Sequence, residues 1–353
     1  MKTIHINVNK GYDIMIGRGL LEQAGTFVRS VSRAAKAAII TDSNVGPLYA
    51  AQVQASLETE GFQVYVYTFP AGEASKNLQT IYQMQCFLAN AGLTRGDVIV
   101  ALGGGVTGDM AGFSAAIYLR GIAFVQIPTT LLAQIDSSVG GKTGVDLPAG
   151  KNLCGCFWQP ELVIIDPEVL ATLPTAYFND GMGEAIKYGC IKSESLFRRL
   201  KEENAVDFLD DMIYECVDIK RRIVERDEKE SGERMLLNFG HTLGHAIEKY
   251  YDFKGLSHGE AVGVGMVMIA RAGEKNGLTE PETADEIISL LEKYQLPVSD
   301  PAPLDAVLSA AGADKKRSSD SFHLILLHRI GESMIYPVKN QDFRAFFKGG
   351  NCP

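Results

Sequence analysis

The first half of the chain alternates short apolar runs with longer amphipathic stretches. The runs are rich in Val, Ile and other apolar residues and predict strands at residues 37–41, 63–69, 98–102, 123–127 and 162–165. At the N-terminus, Ile4, Ile6 and Val8 alternate with polar residues and predict one more strand. Strands separated by helical stretches are typical of a parallel sheet. We therefore predict an α/β domain with a Rossmann-like, mostly parallel sheet over residues 1–166.

After Pro167 the pattern changes to long, charged, amphipathic segments. Residues 193–206, 210–226 and 281–294 predict helices. Near the end, residues 323–327 and 333–338 flank a short connection and predict a β-hairpin. The pattern thus predicts a second, mainly α-helical domain over residues 167–353.

Composition narrows the class of protein. The 353 residues are 46% hydrophobic, which favours globular domains over a disordered or fibrous chain. A net charge of −9 argues against nucleic acid or an anionic membrane surface as the main partner. The longest apolar run, residues 261–270, is too short to cross a bilayer, and the N-terminus does not resemble a signal peptide. We expect a soluble, cytoplasmic protein whose six scattered cysteines are ordinary thiols.

A glycine-rich turn follows the strand predicted at residues 98–102. Gly103, Gly105 and Gly108 match the dinucleotide fingerprint and precede a helical stretch at residues 110–117. Glycines let a pyrophosphate approach main-chain N–H groups at the positive end of a helix. The simpler reading is a tight turn, but the position between a strand and a helix favours a dinucleotide site.

The acidic residue of that fingerprint is missing about twenty positions downstream. Asp42, at the end of an earlier predicted strand, is the better candidate for a ribose contact, and a turn or cap role is its alternative. Residues 141–143 look like the end of an ATP-binding P-loop. However, Asp136 replaces that motif's first glycine and makes an ATPase a poor interpretation.

Four polar residues recur at helical spacing in the second half: Arg234, Asn238, His241 and His245. A helix beginning near Ser231 would display all four on one face. Histidines and an asparagine among apolar neighbours favour a ligand-facing stripe over a solvated face. His241 and His245 would be the obvious metal pair by spacing alone.

Two further sites add candidate ligands. Ser257 and Glu260 have capping-box spacing, which predicts that His258 lies in the first turn of another helix. A catalytic zinc usually takes three protein ligands, so one of the three histidines has another role. Glu184 is a further carboxylate candidate, although Glu184 and Lys187 considered alone are typical of a surface ion pair.

Together these residues resemble the 3-dehydroquinate synthase family of sugar phosphate cyclases, which is related in fold to glycerol dehydrogenase and metal-dependent alcohol dehydrogenases. The resemblance covers nearly the whole chain. It rests on residues 72–76 (GEASK), 103–109 (GGGVTGD), 128–142 (PTTLLAQIDSSVGGK), 150–152 (GKN), 183–187 (GEAIK), 227–230 (DEKE), 238–246 (NFGHTLGHA) and 258–260 (HGE).

The resemblance implies roles for particular residues around a site in the cleft between the domains. The zinc ligands would be Glu184, His241 and His258, with Co²⁺ able to replace Zn²⁺. Residues along the NAD would be Asp42, Glu73, Lys76, Gly104, Gly105, Val106, Asp109, Thr129, Thr130, Lys142, Lys151 and Thr172. Catalytic and substrate residues would be Arg120, Asp136, Lys142, Asn152, Lys187, Lys220, Arg234, Asn238 and His245, with a late lysine at Lys315 or Lys316.

The implied reaction converts 3-deoxy-D-arabino-heptulosonate 7-phosphate to 3-dehydroquinate and phosphate in the shikimate pathway. Transient oxidation by NAD, phosphate elimination, re-reduction and an intramolecular aldol step would leave NAD unchanged. The resemblance also implies a homodimer. Three alternatives stay open: a cyclase for sedoheptulose 7-phosphate, an NAD-dependent polyol dehydrogenase, and a noncatalytic sugar-phosphate sensor.

Overall fold

The computed structural model describes residues 1–315 and 321–348, and these form two compact units. The first contains Met1–Pro174 together with Lys220–Glu225, and the second contains Thr175–Ile219 and Arg226 onward. The domain boundary predicted at residues 166 and 167 stays a prediction.

The first unit is an α/β domain, as the alternating pattern predicts. Its strands are β1 (Lys2–Ile6), β2 (Tyr12–Ile16), β3 (Lys36–Asp42), β4 (Gln63–Phe69), β5 (Val98–Gly103), β6 (Ala123–Pro128), β7 (Lys142–Leu147), β8 (Gly150–Phe157) and β9 (Leu162–Ile165). Its helices are α1 (Ala24–Val31), α2 (Ala51–Thr59), α3 (Leu78–Asn90) and α4 (Gly105–Ile117).

Seven of these strands form one sheet in the order β1-β2-β9-β6-β5-β3-β4. Only β1 pairs antiparallel, with β2; the other neighbours run parallel. The chain reverses its direction across the sheet between β3 and β5, because β4 lies on one side of β3 and β6 lies beyond β5. Such a switch point opens a crevice at the carboxyl ends of the two strands.

Helices cover the sheet on both faces, and apolar side chains fill the two layers between. Ile39 and Val100 lie in one core cluster, whereas Ile40 and Ile99 lie in the other. Because strands buried on both faces need apolar residues at every position, β3 and β5 appear in the sequence as continuous runs. The mostly parallel sheet predicted from those runs is confirmed.

The hairpin formed by β7 and β8 has no counterpart in the predicted strands. Its register pairs Gly144 with Gly155, and a Cβ on Gly155 would lie 2.1 Å from the carbonyl oxygen of Thr143. The close approach of the two strands requires glycine there. Glycine weakens the apolar strand signal and hides the hairpin from pattern analysis.

The second unit is mainly helical. Its helices are α5 (Thr175–Lys192), α6 (Glu194–Glu202), α7 (Leu209–Arg226), α8 (His241–Tyr250), α9 (His258–Lys275), α10 (Thr283–Lys293), α11 (Leu304–Lys315) and α12 (Phe343–Lys348), although Lys220–Glu225 of α7 group with the first unit. The predicted hairpin is β10 (Ser321–Arg329) with β11 (Glu332–Lys339). Across the described residues, no helix combines the length and the apolar character that a bilayer crossing demands.

One predicted helix is wrong. The stretch from Ser231 to His245 is broken into a 3-10 helix, Glu233–Asn238, and α8, which begins at His241. Between them Gly240 has a left-handed φ of 80°. A Cβ at Gly240 would lie 2.6 Å from Met266 Cγ and 2.7 Å from the Val262 carbonyl oxygen, so the break is enforced by close packing on α9.

Candidate active site

The glycine-rich turn lies at the carboxyl end of β5, where α4 begins. The N-cap of α4 is Gly104, and no side chain caps the helix. A Cβ on Gly103 would lie 2.3 Å from Thr107 Oγ1, and one on Gly104 would lie 3.0 Å from Thr130 Cγ2. The turn therefore needs glycine to pack, and its uncapped helix N-terminus suits an anionic phosphate group.

Asp42 lies at the carboxyl end of β3, the strand next to β5. Its Oδ1 accepts hydrogen bonds from the backbone N–H groups of Asn44 and Val45, at 2.8 and 3.0 Å. Its Oδ2 is 3.3 Å from the hydroxyl of Thr107, on α4. The turn role weighed for Asp42 is therefore present, and it holds the carboxylate at the switch point beside the glycine turn.

The buried lysine Lys76 contacts one residue predicted to bind NAD and one predicted to bind substrate. Lys76 Nζ donates to Asp109 Oδ2 and to Asn152 Oδ1, both at 2.6 Å. Burial raises the pKa of Asp109, and the charge of Lys76 opposes that rise. Glu73, whose pKa burial also raises, lies 4.0 Å from Lys151 Nζ. These predicted site residues thus form one polar cluster.

A second polar pair involves Asp136 and Lys220. Lys220 Nζ donates to the carbonyl oxygen of Asp136 at 2.7 Å and to its Oδ1 at 3.0 Å, and Lys220 is only 5% exposed. These contacts bring the Lys220–Glu225 segment of α7 onto the first unit.

The other predicted residues of the first unit are placed as follows. Lys142 begins β7, a strand of an antiparallel hairpin, whereas the lysine of a P-loop lies at the start of a helix. Thr129 donates its backbone N–H to Gly103, and the hydroxyl of Thr172 is 2.6 Å from that of Tyr49. Arg120 is exposed and has a left-handed φ of 68°.

In the second unit, Glu184 and Lys187 form an ion pair inside the protein. Their side chains, on α5, are 0% and 2% exposed, and the Lys187 ammonium contacts Glu184 Oε2. The surface ion pair expected from this spacing alone is therefore wrong. Gly183 and Gly189 let neighbouring elements approach α5 closely, and this stretch of the helix is buried.

Two histidines face the same carboxylate. His241 Nε2 is 3.2 Å and His258 Nε2 is 3.5 Å from Glu184 Oε1. The three candidate ligand atoms lie within 4.8 Å of one another. The capping box of Ser257 and Glu260 is present and holds His258 in the first turn of α9, as its sequence predicts.

Burial and charge shape this cluster. Burial alone would raise the pKa of Glu184, but the charge of Lys187 and the contact with His241 hold it well below its ordinary value. Burial would lower the pKa of His258, but Glu184 and Glu248 raise it to about 10. Within the described residues, neither oxygen of Glu184 makes a hydrogen bond of normal geometry. Such a buried carboxylate is well suited to a cation.

His241 and His245, the metal pair predicted by spacing, have ring centroids 5.4 Å apart, but of the two it is His241 that lies against Glu184. His245 is 55% exposed and lies with Glu248 and His258 in a second group of candidate ligand atoms. The side chain of Arg234 is buried, and its guanidinium contacts the Glu228 carbonyl oxygen. The four polar residues predicted on one helix face thus lie on two elements: Arg234 and Asn238 on the 3-10 helix, and His241 and His245 on α8.

An open pocket of about 400 Å³ adjoins the cluster within the second unit. Its lining includes Asn238, His241 and His245, as well as Glu230, which the sequence predictions omit. Glu230 Oε1 accepts a hydrogen bond of 2.6 Å from Asn238 Nδ2. Glu230 lies in the residue 227–230 segment of the resemblance, which was the available signal. Lys315 and Lys316 lie outside the residues whose side chains are described.

The fold defines a class shared with several solved structures. A 2-deoxy-scyllo-inosose synthase with carbaglucose-6-phosphate, NAD⁺ and Co²⁺ has a TM-score of 0.85 at 27% identity, covering 98% of this chain and 100% of that one. A 2-epi-5-epi-valiolone synthase from Streptomyces hygroscopicus with NAD⁺ and Zn²⁺ has a TM-score of 0.85 at 26% identity, covering 97% and 96%. Glycerol dehydrogenase from Schizosaccharomyces pombe, with a TM-score of 0.65 at 18% identity over 96% and 88%, shares the fold alone.

Within that class, the chain belongs to the 3-dehydroquinate synthase family. Residues 66–180 match the family's N-terminal domain and residues 181–317 its C-terminal domain. The chain is 50% identical to 3-dehydroquinate synthase from Clostridium perfringens (strain 13 / Type A), over 97% of this chain and 100% of that protein. The family resemblance stated from the sequence motifs is confirmed.

Proposed function

We propose that the chain converts 3-deoxy-D-arabino-heptulosonate 7-phosphate to 3-dehydroquinate and phosphate. It would use NAD and one divalent metal ion, for which zinc is the expected choice. The observation that carries the proposal is the buried carboxylate of Glu184 with Nε2 atoms of two histidines beside it. Membership of the 3-dehydroquinate synthase family supports the choice of substrate.

The residues of the first unit fit a dinucleotide. At the switch point, the uncapped N-terminus of α4 would hold the pyrophosphate, and Asp42 would accept hydrogen bonds from a ribose. The charged cluster around Lys76 would line the nicotinamide end. The two solved synthases with NAD⁺ support this assignment.

The residues of the second unit fit a metal ion. One carboxylate and two imidazoles are a common ligand set for catalytic zinc, which keeps a further position for substrate. Glu184, His241 and His258 would supply that set. Cobalt prefers similar donors, and one solved relative contains Co²⁺ whereas another contains Zn²⁺.

When bound, NAD would accept and return a hydride, and the metal ion would lower the pKa of a substrate hydroxyl. The chain's own residues would bind and orient the anionic substrate. Lys187 and Arg234 are buried cations in the second unit, and Lys142 and Lys220 are cations in the first. With Arg120 in the first unit, these cations would give each unit local positive charge in a chain of net charge −9.

Proton transfer falls to residues that border the pocket. His245 lines it, is half-exposed and can exchange a proton with substrate or water. Asn238, held by Glu230, would orient a substrate hydroxyl. We assign Asp136 and Asn152 to the substrate through their lysine partners, Lys220 and Lys76.

The test is phosphate release from 3-deoxy-D-arabino-heptulosonate 7-phosphate and, in parallel, from sedoheptulose 7-phosphate. We expect release from the first only, dependent on NAD, abolished by a chelator and without lasting NADH absorbance. Preference for sedoheptulose 7-phosphate would assign a different cyclase. Accumulating NADH would assign a dehydrogenase, and tight ligand binding without turnover would assign a sensor.

Metal content provides a second readout. Glu184→Ala and His258→Ala should lose both metal and activity, because two ligands hold zinc poorly. His328→Ala is the matched control, since His328 is an exposed histidine of the same unit. Full zinc occupancy with normal turnover in the first two variants would overturn the ligand assignment.

We also propose a cytoplasmic homodimer divided into a cofactor domain at residues 1–166 and a metal- and substrate-binding domain at residues 167–353, without a nucleic-acid or membrane partner. Sedimentation of the purified chain tests the dimer.

A further inference from the structure

Glu248, on α8, is a buried carboxylate that the predicted site does not use. It is 4% exposed. Its Oε1 lies 3.8 Å from His258 Nδ1, and its Oε2 lies 4.0 Å from His245 Nε2. A carboxylate so deeply buried costs free energy unless cationic or hydrogen-bonding groups face it. The imidazole rings of His245 and His258 are two such groups facing the Glu248 carboxylate.

The ring of His258 is oriented between two carboxylates. Its Nε2 is 3.5 Å from Glu184 Oε1, whereas its Nδ1 faces Glu248. A neutral imidazole carries one proton, so a ring that ligates through Nε2 must carry that proton on Nδ1. Glu248 is the group placed to accept it.

His241 shows the same arrangement with a different acceptor. Its Nε2 is 3.2 Å from Glu184 Oε1, and its Nδ1 is 3.2 Å from the carbonyl oxygen of Phe239. Both rings thus present Nε2 to Glu184 and have an oxygen acceptor behind Nδ1. This is how acceptors behind a metal-binding histidine fix its tautomer and ring orientation.

We propose that Glu248 is a positioning residue, which holds His258 with Nε2 toward the metal and restrains His245 on its other oxygen. The proposal rests on the proposed metal at Glu184, His241 and His258. The 3.8 Å separation from His258 is longer than a direct hydrogen bond, so contact requires a small approach of the side chains or a bridging water.

The competing reading is a second cation held by His245, Glu248 and His258, whose ligand atoms also lie within 4.8 Å. It requires His258 to ligate through Nδ1 while Nε2 serves the first cation. Both nitrogens of one ring can do so only if the imidazole loses its remaining proton. The positioning role needs no such deprotonation.

The experiment compares the wild-type protein with Glu248→Gln and Glu248→Ala. Apparent Zn²⁺ affinity is measured by competition with a chelator, metal stoichiometry by elemental analysis, and ligand geometry by the visible spectrum of the Co²⁺-loaded protein. Glu274→Gln is the matched control, because Glu274 lies on α9 at 16 residues from His258, about 24 Å along the helix. Its carboxylate accepts a hydrogen bond from the Ala284 backbone.

We expect one metal per wild-type chain, a roughly 10- to 100-fold loss of Zn²⁺ affinity in Glu248→Ala with an altered Co²⁺ spectrum, and a smaller loss in Glu248→Gln. Glutamine keeps an oxygen acceptor for Nδ1–H and guards against failure of the alanine variant to fold. Wild-type affinity and spectrum in both variants would overturn the positioning role.

Two metals in the wild type, one of them lost in Glu248→Gln, would overturn it in favour of a second site. If Glu184→Ala binds zinc as tightly as the wild type, the result would instead refute the proposed function.

Discussion

Gly183 and Gly259 are in direct backbone contact where α5 meets α9. A Cβ on Gly183 would lie 2.9 Å from the carbonyl oxygen of Gly259 and 3.0 Å from its Cα. Each glycine adjoins a candidate ligand in the chain, Glu184 after the first and His258 before the second. Asp180 Oδ1 strengthens the contact by accepting a hydrogen bond from the Gly259 backbone N–H. The two helices are therefore packed closely enough to bring these ligands together.

Gly183→Ala should disturb the metal cluster without changing any candidate ligand. The added methyl group must separate α5 from α9, and we expect a loss of about 1–3 kcal/mol in unfolding free energy together with weaker zinc binding. Denaturant unfolding and chelator competition measure the two effects. Gly312→Ala is the control: it lies in α11 with no atom of the described residues within 4 Å of its Cβ and should be neutral or stabilising by about 0.4–1 kcal/mol. Unchanged zinc affinity in Gly183→Ala would show that this packing does not position the ligands.

Glu184→Gln should destabilise the metal-free protein as well as remove the metal. It leaves the Lys187 ammonium buried without its carboxylate, which costs about 3–5 kcal/mol in unfolding free energy. The double variant Glu184→Gln/Lys187→Met should regain most of that stability but not the metal. Urea unfolding with and without zinc measures both. Zinc binding in the double variant would contradict a ligand role for Glu184.

Asp42→Asn should separate the two roles of Asp42. Asparagine keeps an oxygen for the Asn44 and Val45 N–H groups but loses the charge that strengthens ribose hydrogen bonds. We expect unchanged unfolding and a rise in the NAD dissociation constant of about tenfold, equivalent to about 1.4 kcal/mol. Titration calorimetry measures the affinity. An unchanged constant would assign Asp42 to the turn alone.

Local patterns predicted much of this structure, and their failures have physical causes. Strands buried on both faces produce apolar runs, so β3, β5 and β9 were apparent from the sequence. The glycine-rich β7–β8 hairpin was not, because its close strand approach excludes the side chains that mark a strand. Helical spacing also missed the break at Gly240, since the left-handed turn there is imposed by Met266 and Val262 on another helix.

The site divides in the same way. Local sequence was sufficient for the capping box at His258 and for a helix following the glycine-rich turn, although α4 begins at Gly105, five residues before the predicted stretch at 110–117. The convergence of Glu184 with two histidines more than fifty residues away is a tertiary contact, and only the family resemblance anticipated it. Glu248 had a local signal, because it lies seven residues after His241 and three after His245 on one helix face. Its burial, which gives it significance, depends on packing.

Acid stability should depend on Asp227. Burial raises its pKa, but hydrogen bonds from the backbone N–H groups of Ser231, Gly232 and Arg234 outweigh this and hold the pKa below its ordinary value. A carboxyl group with a lowered folded-state pKa stabilises the fold above its unfolded-state value, and that contribution is lost as the pH falls through the folded-state pKa.

Asp227→Asn should therefore lose less unfolding free energy than wild type on acidification from about pH 5 through the folded-state pKa of Asp227. Urea unfolding across this range measures the difference. Ser231→Ala, which removes one hydroxyl contact but keeps the carboxylate, should retain most of the pH dependence. Identical acid profiles for wild type and Asp227→Asn would contradict this assignment.

Lys76→Met should impair both the cofactor and the substrate side of the site, because one ammonium group holds Asp109 and Asn152. The substitution leaves the Asp109 carboxylate, which is 20% exposed, without its nearest cation, and we expect a loss of about 1–3 kcal/mol in unfolding free energy. In Lys76→Met/Asp109→Asn the uncompensated charge is gone, so stability should recover. Asn152, which has a strained φ of 54°, would still lack its donor. In the double variant the affinity for NAD should fall and the KM for the heptulosonate phosphate should rise. Asp42→Asn should change only the affinity for NAD. If the stabilised double variant binds both ligands normally, then Lys76 has a structural role alone.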